Sequence, residues 1–278
     1  METLPRTQSL FVRHIFLPQD HGSWVFLLSP LLIGLFAGGN WSIATFYLIV
    51  AALAAFLIRQ PITIAIKASS GRRSRRDLAP ARLWIAIYAL IGLAALVGLA
   101  ALEFGYLLYL AIPGIPVFIW HLYLVSRRAE RRQMAVELVA SGVLALVAPA
   151  AFWVGRGFPD PVGWWLFGLT WLQSAASIVY AYLRLAQRTL SEKPDLQGRL
   201  RMGGRALLYT TFNLSAVTAL SISAILPVLL PIPYALQWVE TVWGTLNPAI
   251  GVKPTRIGVR QLIVSSLFTL LFILAWNI

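Results

Sequence analysis

The amino-acid sequence predicts an all-α fold, a polytopic membrane helix bundle with nine transmembrane helices. Three observations support this prediction. Of the 278 residues, 59% are hydrophobic and only 12% are charged, whereas soluble domains carry about 25% charged residues. The apolar residues fall in blocks of about 17 to 22, the length that crosses a bilayer core. The basic residues lie between these blocks, in alternate connections.

Nine apolar blocks follow one another along the chain, and each is long enough for one crossing. Helices are the expected form, because a span must satisfy its own backbone hydrogen bonds in hydrocarbon. Transmembrane strands would instead alternate polar and apolar residues. The predicted spans are residues 22–38, 42–58, 83–101, 105–125, 134–154, 163–183, 206–226, 231–250 and 260–277.

The distribution of basic residues tests these spans independently. With the N-terminus in the cytoplasm, all 23 lysines and arginines except Arg156 lie on the cytoplasmic side, as the positive-inside rule predicts. We therefore expect a multi-pass membrane protein with its N-terminus in the cytoplasm and its C-terminus outside. The prolines in PVLLPIP, residues 227–233, separate the seventh and eighth spans. One long helix followed by an interfacial segment is the alternative there.

We expect one transmembrane domain, residues 1–278, that begins with a cytoplasmic segment, residues 1–20. Two long basic cytoplasmic connections stand out, residues 59–82 and 184–205. Each begins with an arginine still inside an apolar helix, passes a lysine and ends in an arginine-rich run. The similarity suggests two four-helix halves followed by a final helix.

Composition also excludes several kinds of site and partner. The chain has no cysteine, so disulfides, thiolate metal sites and cysteine nucleophiles are excluded. It has no phosphate-binding glycine loop, and its three histidines are not at metal-ligand spacing. We predict no metal site and no cofactor. The net charge of +13 reflects basic residues at helix ends, so we predict the lipid bilayer as the partner and no nucleic acid.

The main ionisable residues inside or at the edge of the apolar blocks are Arg59, Glu137, Arg184 and Arg188. Such groups cost about 2.5 to 3.5 kcal/mol near the centre of a membrane. Each arginine could serve as an interface anchor, because its long stem can reach the headgroups. Glu137 has too short a stem, so we expect a partner such as Arg59 or Arg184. A structural ion pair and a functional site remain alternatives for it.

Tyr180, Arg184 and Arg188 recur at four-residue spacing and therefore share one helix face. If this face points into the bundle, it aims a phenol and two guanidinium groups at one point. Guanidinium groups suit phosphate or carboxylate, so an anionic headgroup is the expected ligand. If the face points to lipid, the same residues form an aromatic and basic belt.

PQDHGSW, residues 18–24, opens the first span. Asp20 or Ser23 can cap the helix, and Trp24 can anchor it at the interface. The functional alternative makes Asp20 and His21 a pair that handles protons or contacts a ligand. Only His21 of this pair titrates near neutral pH without a shift.

Four motifs in order carry a resemblance to a known family: PQDHGSW, FLIRQP, ERRQMAVELVASG and SIVYAYLR. With them the chain resembles the YwiC-like family of bacterial membrane proteins. This resemblance implies a location in the bacterial inner membrane and no biochemical activity. The nine spans and the long basic connections after spans two and six are more distantly similar to the UbiA prenyltransferases. That resemblance implies a UbiA-like bundle acting on isoprenoid diphosphates.

The UbiA enzymes carry aspartate-rich motifs of the form NDxxDxxxD at the ends of helices two and six, where they hold Mg²⁺ against a diphosphate. This chain has basic and neutral residues at both places, and basic groups cannot ligate Mg²⁺. Metal-assisted ionisation of a prenyl diphosphate is therefore not expected. The corresponding residues are Arg59, Gln60, Thr63 and Lys67 at the first position and Tyr180, Arg184 and Arg188 at the second.

The favoured function is binding of an anionic lipid or isoprenoid phosphate at the cytoplasmic face. If the protein is an enzyme, we expect a divergent transferase acting on a lipid or prenyl substrate. A membrane transporter and a non-catalytic assembly or scaffold factor are the alternatives, and the apolar span centres count against the transporter. The predicted ligand-binding residues are Arg59, Lys67, Tyr180, Arg184, Arg188, Asp20, His21 and Glu137, with the arginines converging on one cavity.

Overall fold

The computed structural model describes residues 13–18, 21–127 and 133–278. All regular secondary structure in these residues is helical, which confirms the all-α prediction. The α-helices are α1 (Arg13–Phe16), α2 (His21–Gly38), α3 (Ile43–Ser69), α4 (Leu78–Ala101), α5 (Leu108–Ala111), α6 (Gly114–Ser126), α7 (Met134–Ala145), α8 (Val147–Arg156), α9 (Val162–Gln187), α10 (Leu196–Ile222), α11 (Pro231–Leu246) and α12 (Pro254–Asn277).

Each predicted apolar block overlaps helix. Among the described residues, six segments are long and apolar enough to qualify as membrane spans. These six make the chain a multi-pass helical membrane protein by length and composition. The helix Gly22–Gly38 is apolar but shorter, and α10 and α11 do not qualify. Nine crossings therefore stay a prediction. The qualifying spans are Ile43–Ser69, Arg75–Ala101, Gly105–Ser126, Met134–Arg156, Val162–Gln187 and Pro254–Asn277.

The predicted single domain, residues 1–278, comprises two compact units. The first unit contains α1 and α3 to α6, and the second contains α2 and α7 to α12. In the first unit, α3 and α4 pack together over much of their length. Gly98 of α4 lies against the ring of Tyr47, where a Cβ would collide with it. The α1 segment is held by a hydrogen bond of 3.1 Å from Gln60 Nε2 to the carbonyl of His14.

The first basic connection begins later than the sequence predicted. Helix α3 runs through Arg59 and Pro61 and ends at Ser69, because a proline is tolerated in an apolar helix of a membrane protein. The connection is therefore limited to residues 70–77, and α4 begins at Leu78 rather than at residue 83. The second connection is likewise shortened to residues 188–195, because α9 continues to Gln187 and α10 begins at Leu196.

In the second unit, α2 and α8 approach each other closely through glycines. A Cβ at Gly38 would lie 2.9 Å from the carbonyl oxygen of Phe152, and one at Gly155 would meet the backbone of Gly38. Small residues permit such close helix contacts in membranes. A hydrogen bond of 2.6 Å between the hydroxyls of Ser29 and Thr269 joins α2 to α12.

Helices α9 and α11 run parallel to each other. The hydroxyl of Tyr234 donates to the carbonyl of Leu169 at 2.9 Å, and further along both helices the hydroxyl of Tyr180 donates to Glu240 at 2.8 Å. The residue numbers rise together, so the two helices point the same way. The chain between the end of α9 and the start of α11 must therefore run back along the pair in the opposite direction.

Helix α10 makes this return. Asn213 Nδ2 donates to the carbonyl of Leu172, in the first half of α9, at 2.8 Å. Ala206, earlier in α10, packs in the core cluster that contains Leu183, near the end of α9. The break between Ile222 and Pro231 confirms two separate helices around the proline-rich stretch.

Candidate functional site

A cavity of about 640 Å³ lies in the second unit, where the C-terminal ends of α9 and α11 meet the first turns of α12. It combines an apolar wall with several charged groups. The lining residues are Tyr180, Arg184, Glu240, Trp243, Asn247, Pro248, Ala249, Val252, Arg256, Ile257, Val259, Arg260, Gln261, Ile263 and Val264.

A paired carboxylate and guanidinium form the charged centre of this cavity. Arg260 donates from Nε to Oε1 of Glu240 at 2.6 Å and from Nη2 to Oε2 at 2.7 Å. The hydroxyl of Tyr180 is a third donor, at 2.8 Å from Oε1. The side chain of Glu240 is 10% exposed and that of Arg260 is 45% exposed. Glu240 is thus enclosed by its donors, while Arg260 remains accessible.

The indole of Trp243 packs against the guanidinium of Arg260. The Cζ atom of Arg260 lies 3.7 Å from the centre of a Trp243 ring, and that of Arg184 lies 5.4 Å from it. Stacking of a guanidinium on an indole is favourable by about 0.5 to 2 kcal/mol. Arg260 is therefore oriented both by Glu240 and by Trp243.

Arg184 is buried and donates hydrogen bonds to backbone carbonyls at the C-terminal end of α11. Its Nη1 atom donates to the carbonyls of Gly244 and Asn247, both at 2.7 Å, and to Oε1 of Gln187 at 2.9 Å. The last carbonyls of a helix have no partner within the helix, so a buried arginine can satisfy them. Arg184 adds positive charge to the cavity, and its main contacts are structural.

Gly244 leaves room on α11 for the side chain of Tyr180 from α9. A Cβ at this position would overlap the hydroxyl and ring of Tyr180. The absence of a side chain lets Tyr180 pass α11 and reach Glu240, one turn earlier on the same helix. The glycine therefore positions the hydrogen bond between Tyr180 and Glu240.

Arg188 supports the connection between α11 and α12 instead of lining the cavity. Its Nε atom donates to the carbonyl of Val252 at 2.6 Å, and its own carbonyl accepts from the backbone N–H of Gly251 at 3.4 Å. Arg199 makes a similar contact, from Nη1 to the carbonyl of Leu246 at 2.7 Å. Arg184, Arg188 and Arg199 thus all donate to backbone carbonyls in the last turn of α11 or just after it.

Arg256 is the third arginine that lines the cavity, and it differs from Arg184 and Arg260 in its contacts. It lies one turn before Arg260 on α12, lines the cavity and is exposed. Within the described part of the chain its guanidinium has no hydrogen bond or ion pair. Arg184, Arg256 and Arg260 against Glu240 leave the cavity with an excess of two positive charges.

The structure brings two of the predicted ligand-binding residues into this cavity, Tyr180 and Arg184. Arg59 and Lys67 belong to α3 in the first unit, where the guanidinium of Arg59 lies 5.1 Å from the ring centre of Phe56. The convergence of these groups with the arginines of α9 stays a prediction.

The other predicted residues lie elsewhere. Glu137 accepts a hydrogen bond of 2.8 Å from the hydroxyl of Tyr182, so one of its partners is a tyrosine where an arginine was expected. His21 is the first residue of α2. Asp20 lies outside the described residues.

Sequence reasoning missed Glu240, Trp243, Arg256 and Arg260 as site residues. Glu240 is the acidic residue of the predicted span 231–250. The rule that singled out Glu137, that an acid inside a span needs a partner, applies equally to Glu240. Its partner could not be deduced, because Arg260 and Glu240 belong to different helices that meet only in the fold.

Metal ligands do not cluster in the described residues. No group of three or more histidine, aspartate or glutamate side chains there lies close enough to hold an ion. The donor set of the cavity is instead dominated by guanidinium groups, which bind anions.

Comparison with known proteins finds a family match over part of the chain. Residues 17–152 match the model of the YwiC-like protein family, which confirms the resemblance inferred from the motifs. The uncharacterized protein YwiC of Bacillus subtilis (strain 168) is 29% identical over 163 residues, which cover 57% of this chain and 61% of the relative. No solved structure matches. The helices that form the cavity, α9, α11 and α12, follow the region matched by the family model.

Proposed function

We propose that this multi-pass membrane protein, which is YwiC-like over residues 17–152, binds an anionic lipid or an isoprenoid phosphate in the cavity between α9, α11 and α12. One observation carries the proposal. Arg260 is held in place by Glu240 and Trp243 and is still 45% exposed. The guanidinium of Arg256, which has no polar partner among the described residues, lies one turn away in the same cavity.

The charged groups of the cavity favour a phosphate. The planar guanidinium group offers parallel N–H donors that match two oxygens of a phosphate or carboxylate. An excess of two positive charges near a low-dielectric wall favours an anion over a neutral or cationic headgroup.

The apolar part of the cavity favours a ligand with a hydrocarbon chain. Val259 and Ile263 line the cavity and are exposed, at 56% and 54%. They begin a stripe of exposed apolar residues on α12 that continues through Leu267, Leu270 and Leu274. A headgroup in the cavity would therefore have its chain on a surface suited to lipid.

The proposal includes a cytoplasmic location for this cavity. Arg184, Arg188, Arg199, Arg256 and Arg260 lie at the end of the unit that contains it, and positive charge marks the cytoplasmic side of membrane proteins. We propose nine crossings in the bacterial inner membrane, in a UbiA-like order, with the N-terminus inside and the C-terminus outside. The return of α10 between the parallel helices α9 and α11 supports this topology.

Native mass spectrometry of the purified full chain tests the binding. Dioleoyl phosphatidate and farnesyl monophosphate should bind more tightly than dioleoyl phosphatidylcholine. Arg256→Ala should weaken binding of the phosphate ligands about tenfold, because it removes a charge-assisted contact. Arg201→Ala removes an exposed arginine outside the cavity and should leave binding unchanged.

Two results would overturn the proposal. One is equal binding of phosphatidate and phosphatidylcholine. The other is an equal effect of Arg256→Ala and Arg201→Ala, which would mean that general attraction by surface charge explains the affinity. A scaffold factor, which needs no cavity, would show this second pattern.

A further inference from the structure

We infer that Glu240 is an internal counterion that competes with the bound anion for Arg260 and so sets the affinity of the cavity. This inference rests on the proposed function. It makes Glu240 a residue that limits how tightly an anion binds, because its carboxylate occupies two of the donors that Arg260 offers to a ligand.

The geometry of the pair resembles that of a bound ligand. The two oxygens of Glu240 accept from Nε and Nη2 of Arg260 at 2.6 and 2.7 Å. A phosphate accepts from a guanidinium through the same parallel pair of N–H groups. A ligand therefore either competes with the carboxylate for this edge of Arg260 or takes the remaining edge, formed by Nη1 and the second N–H of Nη2, with the carboxylate close by.

Glu240 also stays in the cavity when a ligand arrives. The hydroxyl of Tyr180 donates to Oε1 of Glu240 at 2.8 Å, and Tyr180 is buried at 4% exposure. This contact does not involve Arg260, so it holds the carboxylate near the site after Arg260 turns to a ligand. A fixed negative charge beside a bound anion opposes binding.

A purely structural role for Glu240 predicts the opposite effect. If Glu240 served only to orient Arg260, removal of its charge would weaken binding. Trp243 provides an independent support, since its ring lies 3.7 Å from Cζ of Arg260. We therefore expect the orientation of Arg260 to survive when the charge of Glu240 is removed, and the affinity to rise.

The test is Glu240→Gln, which removes the charge, nearly preserves the volume and keeps an oxygen acceptor for Tyr180. Its affinity for dioleoyl phosphatidate and for farnesyl monophosphate, measured by native mass spectrometry of the full chain, should increase about tenfold. Inorganic phosphate is a third probe, and it distinguishes a site for lipid headgroups from one that also takes free phosphate. Glu192→Gln removes an exposed charge outside the cavity and should change none of these affinities.

Glu240→Asp separates charge from shape. It keeps the negative charge on a shorter side chain, so we expect no gain in affinity. An equal gain for the aspartate and glutamine variants would show that geometry and not charge matters, and would overturn the inference. If the glutamine variant does not fold, Glu240→Met, which also lacks the charge, replaces it.

The failures of the two proposals are distinguishable. Unchanged or weaker binding by Glu240→Gln, with binding by the wild-type protein intact, overturns the role of Glu240 alone. Absence of phosphate-ligand binding by the wild-type protein overturns the proposed function as well.

Discussion

The hydroxyl of Tyr180 donates a hydrogen bond of 2.8 Å to Oε1 of Glu240, the same oxygen that accepts from Nε of Arg260. This contact joins two parallel helices, α9 and α11, at the wall of the cavity. It explains how an acid can reside in an apolar bundle, since three donors surround its two oxygens.

Loss of the Tyr180 hydroxyl should destabilise the bundle. Tyr180→Phe removes one donor from a buried carboxylate, so we expect the free energy of unfolding to fall by about 1 to 2 kcal/mol. Tyr182→Phe is the matched control, because Tyr182 also donates to a glutamate, Glu137, but at an exposed site. Unfolding of both variants in detergent measures the difference, and an equal effect would contradict the buried role of Tyr180.

A side chain at Gly244 should push α9 and α11 apart. The Cβ of Gly244→Ala would overlap Tyr180, so we expect a loss of about 1 to 3 kcal/mol in stability. Gly204→Ala, within α10, places its Cβ in open space and should be neutral or stabilising by up to about 1 kcal/mol. Thermal unfolding of the two variants compares them, and a stable Gly244→Ala protein would refute the close contact.

The arginines of the cavity should separate into structural and ligand-binding groups. Arg184→Ala leaves the carbonyls of Gly244 and Asn247 without their donor, so it should lower stability by about 2 kcal/mol or more. Arg256→Ala breaks no internal contact among the described residues and should change stability by less than about 0.5 kcal/mol.

Parallel measurement of unfolding and of phosphatidate binding tests this separation. Arg184→Ala should lower the free energy of unfolding. Arg256→Ala should weaken phosphatidate binding and leave the free energy of unfolding nearly unchanged. If Arg256→Ala lowers stability as much as Arg184→Ala, the assignment of Arg256 to the ligand is wrong.

The proposed topology predicts the side of the membrane on which each connection lies. Reporter insertions in residues 188–195 and 247–253 should be cytoplasmic, and one in residues 223–230 should be outside, because α10 and α11 each cross once. A C-terminal fusion should also be outside. A cytoplasmic signal from residues 223–230 would show that α10 does not cross.

The positions of the helices were largely predictable from the sequence. Apolar blocks bounded by basic residues located the helices, and the proline-rich stretch located the break after α10. Helix ends were less predictable. Residues 59–69 contain Arg59, Pro61 and Lys67 and were assigned to a connection, but they continue α3, because backbone hydrogen bonding in an apolar segment outweighs these local signals.

The partners of the charged residues depended on tertiary structure. One partner of Glu137 is Tyr182, which the sequence did not indicate. Glu240 and Arg260 form the pair that sequence reasoning missed. Tyr180 and Arg184 were predicted to share a face, and the fold turns that face toward α11.

The sequence by itself thus determined that the chain is helical and apolar enough to cross a membrane, and which residues carry charge within it. The tertiary structure alone decided which face of each helix meets its neighbours and therefore which charges pair. The reason is physical. In a membrane the lipid-facing side of a helix is as apolar as the packed side, so the pattern of hydrophobic residues does not reveal which side points inward.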